Sequence, residues 1–128
     1  MARNTTHRRG TRRALVAALL GGLVLAAPAT APAAPPKLTA SVGPGFTISL
    51  KTAAGKKVTK LKAGKYRITV KDRSDDHDFR LRGPGVNKVL SSVDATGTKT
   101  VTVRLKRGRY QFMCQPHAGA MRGSFRVS

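Results

Sequence analysis

Cysteine is almost missing from this chain: Cys114 is the only one in 128 residues. A single thiol cannot close an intrachain disulfide, so Cys114 must be an intermolecular bridge, a free thiol or a ligand. Histidine is nearly as scarce, with three residues, and tryptophan is absent. Acids number five against 25 lysines and arginines, a formal charge of +20. The longest apolar run, residues 14–27, is short for a membrane span of roughly 20 residues. No segment carries an apolar stripe at helical spacing and no internal repeat is visible, so the fold is not built on helices.

What is present begins with a leader. "MARNTTHRRGTRR" is a basic head, "ALVAALLGGLVLAA" an apolar stretch of about a dozen residues, and small residues follow, the three-part pattern of a secretory signal. Ala27-Pro28-Ala29 and Ala31-Pro32-Ala33 both offer small-x-small cleavage, so residues 1–33 are expected to be the signal peptide and cleavage region. Arg12 and Arg13 precede the apolar run directly, which admits a Tat-type signal beside the Sec route. Residues 34–37 form a short Pro-rich linker, and residues 38–128 the exported domain, periplasmic, envelope-associated or secreted. His7 falls in the leader and has no role in that domain. Without the five leader arginines the domain keeps 20 basic and five acidic residues, about +15, a field that favours acidic partners and anionic surfaces. Export argues against nucleic acid. Partner proteins with acidic docking surfaces, or the anionic cell envelope, fit better, and a monomer with no transmembrane span is expected.

After the linker the pattern has period two. Leu38, Ala40 and Val42 alternate with Thr39 and Ser41, and Phe46, Ile48 and Leu50 with Thr47, Ser49 and Lys51. Tyr66, Ile68 and Val70 share one face, as do Val101, Val103 and Leu105, then Tyr110, Phe112 and Cys114, then Phe125 and Val127. These read as half-buried antiparallel strands, apolar inward and basic outward. "AAGKK", "KAGK", "RGPG", "ATGT" and "KRGR" supply glycine-bearing turns between them. "NKVLSSV", residues 87–93, is expected to hold a short turn at most. Roughly six to eight strands in about 95 residues make an all-β sandwich.

Strand phase also aims the scarce side chains. His77 shares its phase with Phe79 and Leu81, and Cys114 with Tyr110 and Phe112, so both point inward near strand ends. "CQPHAGAM" then places a thiolate, an imidazole and a thioether, from Cys114, His117 and Met121, on one short loop. With His77 the set is two histidines, one cysteine and one methionine, and soft sulfur beside imidazole suits one copper ion. Zinc fits less well, because a thioether is a poor zinc donor. Met113 is the rival thioether, but its phase points away from Cys114. "DRSDDHD", residues 72–78, holds four of the five acids yet lacks the glycine and closing acid of a calcium loop. It reads as a solvated turn beside His77.

"DDHDFRLRGPGV" and, further on, "YQFMCQPHAGAMRGSFRV" resemble the cupredoxins of the plastocyanin/azurin type over residues 38–128. The resemblance implies a Greek-key β-sandwich with one type 1 copper alternating between Cu(I) and Cu(II). It implies His77 and His117 as nitrogen ligands, Cys114 as thiolate, Met121 as axial thioether, and the His117 edge as the electron exit. Where that family usually has Asn after the first histidine, this chain has Asp78, which when ionised accepts but does not donate.

A non-enzymatic, exported one-electron carrier is therefore expected. The alternative is an envelope copper-binding or copper-delivery protein without redox turnover. A Cys–His enzyme would need an adjacent base, an orienting group and a substrate cleft around Cys114, and nothing beyond Cys114 and a histidine is visible. A multicopper oxidase needs many histidines, whereas the domain has His77 and His117 alone.

Overall fold

The computed structural model describes residues 22–128. The chain divides into two units, Met1–Ala31 and Pro32–Ser128. Of the first, residues 22–31 are described and contain no helix or strand. The basic head of the expected signal, its twin arginines, most of its apolar run and His7 lie outside the described residues. No helix among the described residues is long and apolar enough to cross a membrane.

The second unit is an all-β sandwich of nine strands. They are β1 (Lys37–Val42), β2 (Ile48–Thr52), β3 (Lys60–Leu61), β4 (Gly64–Asp72), β5 (Phe79–Gly83), β6 (Val86–Ser91), β7 (Gly97–Leu105), β8 (Gly108–Met113) and β9 (Arg122–Val127). A four-stranded sheet runs β2-β1-β4-β7 and a five-stranded sheet β3-β9-β8-β5-β6, so successive strands repeatedly cross between layers. The core between them holds Leu38, Ala40 and Val42 from β1, Tyr66, Ile68 and Val70 from β4, and Tyr110, Phe112 and Phe125 from β8 and β9. Those are the inward sets that alternation selects, because successive Cβ atoms leave a strand on opposite faces.

Three expectations are corrected. Not every pair is antiparallel: β1 runs parallel to β4, and β3 parallel to β9. Alternation reports which face is buried and carries no record of a neighbour's direction. Residues 87–93 are not merely a turn, since Val86–Ser91 is a strand on the sheet edge. Its pairing with β5 shifts register between Phe79 and Arg80, and Leu90 and Ser91 are both buried, which erases the period-two signal. Finally, Phe46 is not in the core: it is 66% exposed, ahead of β2 on a turn begun by Gly43-Pro44-Gly45.

The inner face of the five-stranded sheet stacks aromatic rings, Phe79 on Phe112 with centroids 5.6 Å apart and Tyr110 on Phe125 at 5.3 Å. Tyr110 is fully buried, and its hydroxyl donates to the Pro84 carbonyl at 2.7 Å while accepting from the Lys106 amide at 2.9 Å. Gly83 makes room for that ring: a Cβ there would lie 2.2 Å from a Tyr110 ring carbon. Gly83→Ala is thus expected to destabilise the domain by about 1–3 kcal/mol through overpacking. Denaturant unfolding checks this, and an unchanged midpoint would contradict the packing described.

Candidate metal centre

The candidate ligands lie on two loops at one end of the sandwich. His77 lies between β4 and β5, two residues before Phe79, and Cys114 directly follows β8. His117 closes a single 3-10 turn, Gln115–His117, and Met121 directly precedes β9. Backbone hydrogen bonds tie residues 114–121 into a closed loop. The Cys114 amide donates to the Met121 carbonyl at 3.0 Å, and the Met121 and Ala120 amides to the His117 carbonyl at 2.8 and 3.0 Å. β5 pairs antiparallel with β8, Arg80 opposite Met113, so the start of β5 sits beside the end of β8. That pairing brings His77 to Cys114.

The three donor atoms form a compact triangle. His77 Nδ1 and His117 Nδ1 are 3.1 Å apart, and Cys114 Sγ lies 3.7 Å from the first and 3.6 Å from the second. A point in their plane equidistant from all three is about 2.0 Å from each, close to metal–imidazole and metal–thiolate bond lengths. Two ring nitrogens 3.1 Å apart beside a sulfur form a cradle for a cation. The residues present therefore fit a metal ion, and two imidazoles with a soft thiolate fit copper. His77 and Cys114 are 2% and 0% exposed, whereas His117 is half-buried, so its edge alone among the three reaches solvent.

The surrounding groups orient these donors. Asp76 Oδ1 lies 3.4 Å from His77 Nε2, on the side of the ring away from Cys114. A carboxylate there favours the tautomer protonated on Nε2 and leaves Nδ1 free to bind metal. The Ser74 hydroxyl donates to Asp76 and holds its carboxyl below the usual carboxylate range. Asp78 is 5% exposed, and its Oδ1 accepts from the Gln115 amide at 2.5 Å, joining the histidine loop to the cysteine loop. The tie between loops needs only an acceptor, so Asp supplies it.

The reading of residues 72–78 as a solvated turn holds for Asp75 and Asp76 and is corrected for Asp72 and Asp78, which are buried. Asp72 accepts from the Ser74 amide at 3.1 Å and from the Ser91 hydroxyl, anchoring the loop that carries His77 to β6. No sequence signal singled out Ser91, which comes to Asp72 only through sheet packing.

Phe46 is the other residue missed. Its ring centroid lies 5.0 Å from that of His117, edge-on, and 5.8 Å from that of His77. The Gly43 amide donates to the Thr47 carbonyl at 2.9 Å, and the Thr47 hydroxyl to the Pro44 carbonyl at 2.9 Å, so the turn is braced. Gly43 has φ +66, and a Cβ there would lie 2.8 Å from Ser74 Cβ. Glycine is thus required where this turn rests on the histidine loop. The Gly-Pro-Gly triplet was the available signal, since it interrupts the strand phase in which Phe46 was placed.

Burial pushes the Cys114 thiol above its ordinary value of 9.0, with the nearby Asp78 carboxylate adding and the Asp78 and His117 amides opposing. The folded, metal-free protein therefore holds this proton longer than the unfolded chain does. Stability is fully present below about pH 9 and falls as pH rises through the folded value, by up to ~1.4 kcal/mol per pH unit. Cys114→Ala is expected to remove that alkaline fall, as chemical unfolding of the metal-free protein at a series of pH values will show.

Comparison with known proteins agrees with this geometry. The model of copper binding proteins of the plastocyanin/azurin family matches residues 37–128. No curated protein is matched. Among solved structures the chain resembles substituted rusticyanins, at 23% identity and TM-score 0.53 in one case and 21% and 0.52 in another. It also resembles rusticyanin from Thiobacillus ferrooxidans, at 22% identity and TM-score 0.50. Each alignment covers 72% of this chain and 76% of the other, and at such identities the likeness is one of fold. With the family match spanning the whole sandwich and a His-Cys-His cluster at its end, this chain belongs to the plastocyanin/azurin family of copper binding proteins.

Proposed function

We propose that the protein is an exported, non-enzymatic carrier of single electrons, with a type 1 copper held by His77, Cys114 and His117 and, axially, by the Met121 thioether. The observation that carries this reading is the donor triangle, two Nδ1 atoms and one Sγ separated by 3.1–3.7 Å. Bound copper supplies a one-electron couple there, with sulfur favouring the reduced ion and imidazole the oxidised one. Met121 is fully buried, and its carbonyl bonds the Cys114 amide, which supports it as the fourth donor.

The chain's own residues keep the site nearly constant through turnover. The braced loops of residues 43–47, 72–78 and 114–121 rest on two sheets, so the donors have little freedom to rearrange. His77 and Cys114 are shut from water, and the Phe46 ring packs beside both imidazoles, its centroid 5.0 Å from that of His117 and 5.8 Å from that of His77. This closed set suits retention of the metal more than its handover, which favours the carrier over a delivery protein. The leader pattern supports export, and the family supports a location outside the cytoplasm.

Copper reconstitution followed by visible spectroscopy and voltammetry tests the reading. An intense thiolate-to-copper band with a reversible couple is expected. A colourless Cu(I) binder that exchanges its metal readily would sink the carrier and favour delivery. Met121→Leu is expected to keep the band and raise the potential, because the substitution removes an axial donor; an unchanged potential would remove Met121 from the ligand set.

A further inference from the structure

The outer face of the five-stranded sheet carries a concentration of arginine that the copper site does not use. Alternation turns Arg82 of β5, Arg109 of β8, and Arg122 and Arg126 of β9 out to solvent, with Arg80 half-buried beside them. Register sets Arg109 opposite Arg126, and places Arg80 and Arg122 on either side of Met113. Between these cations the outward positions are the uncharged Gln111 and Ser124, themselves paired. No strand of this sheet contains an acid. Among the described residues the ion pair found is His77 with Asp76, so no guanidinium of this face meets a carboxylate. Arg80 donates to Asn87 Oδ1 at 3.1 Å, while its buried Nε has no acceptor.

The face is also grooved. A cleft of about 490 Å³ is lined by Arg109, Gln111, Met113, Ala118 and Arg122, among others. A second, of about 420 Å³, shares Arg109 and Gln111 and adds Arg82 and Asn87. The larger cleft runs to the ligand loop, for Met113 precedes Cys114 and Ala118 follows His117. Guanidinium is planar and binds carboxylates through paired N–H groups, so an array of arginines fixes orientation as well as attracting charge.

We propose that this arginine face docks the carboxylate-bearing surface of a protein electron partner and brings it against the loop that carries His117. The proposal rests on the carrier reading. An anionic lipid surface would satisfy the charge but gains nothing from a cleft that ends at a metal ligand, whereas an electron partner needs that proximity. Docking makes and breaks no covalent bond; one electron passes between the partner's redox centre and the bound copper, one side oxidised as the other is reduced.

The test uses copper-loaded protein and a fluorescein-labelled hexaglutamate peptide, with binding read by anisotropy at low and high salt. The triple variant Arg109→Gln, Arg122→Gln, Arg126→Gln is expected to weaken binding at least about tenfold, with a flatter salt dependence. Lys37→Gln, Lys51→Gln, Lys65→Gln removes equal charge from the opposite sheet and is expected to cost less than about threefold. Amide shifts on titrating the Cu(I) protein should map to β8, β9 and residues 113–118. Equal losses in the two triple variants would mean that net charge alone attracts the peptide, and overturn the docking face. An arginine variant that releases phosphatidylglycerol vesicles yet keeps the peptide would assign the face to lipid and overturn the proposal too. The blue band separates the two readings. If wild type takes copper without it, the carrier and the docking proposal both fail; if wild type is blue and the triple variants lose equally, the docking alone fails.

Discussion

Cys114→Ser will abolish the blue colour and lower copper affinity by several orders of magnitude, while leaving the metal-free domain folded. Serine is nearly isosteric with cysteine, and Cys114 is 0% exposed, so the core around it loses little volume. Its hydroxyl, however, stays protonated at neutral pH and offers hard oxygen where copper's thiolate bond requires soft sulfur. Two imidazole nitrogens 3.1 Å apart remain, an incomplete set. The stabilisation that copper adds to the folded state, which grows with ligand concentration over its dissociation constant, should disappear along with the colour. Visible spectra and thermal unfolding with and without copper measure both effects. A serine variant that stays blue would falsify the whole ligand assignment.

The second large effect is expected at Asp78. Asp78→Asn keeps a side-chain oxygen for the Gln115 amide but removes a buried negative charge beside the thiolate. That charge favours the more positive, oxidised ion, so its removal should raise the reduction potential. At an effective dielectric constant near 20, a charge several ångströms away is worth on the order of 1–3 kcal/mol, or roughly 40–130 mV for one electron. The same substitution should lower the Cys114 thiol towards its ordinary value, because the Asp78 carboxylate helps to raise it. Asp78→Ala separates tie from charge: it should also raise the potential, but cost a further ~1–3 kcal/mol of stability by stranding the Gln115 amide. Voltammetry and denaturant unfolding of the three proteins decide. If Asn and Ala variants are equally stable, the bond between the two loops contributes nothing.

The arginine face and the copper site make different demands on charge. Near the donors the acids Asp76 and Asp78 flank His77, whereas the outer face of the five-stranded sheet carries arginines among uncharged residues and no acid. The exposed acids are Asp75 and Asp76 on the His77 loop and Asp94.

Much of this protein was written in the local order of its residues. Period-two alternation selected the inward faces of β1, β4, β8 and β9, because side chains on a strand leave it alternately up and down whatever lies next to it. The same phase turned His77 and Cys114 inward, and the short interval from Cys114 through His117 to Met121 confined three metal-capable side chains to one loop. What alternation could not carry is which strands are neighbours and in which direction they run. The parallel pairings of β1 with β4 and β3 with β9, the irregular edge strand β6, the seat of Asp72 against Ser91, and Phe46 packing beside two imidazoles were decided by tertiary packing. So was the distance that matters most. His77 and Cys114 are 37 residues apart in sequence and 3.7 Å apart in space because β5 pairs with β8, a consequence of burying two sheets against each other that no single strand encodes.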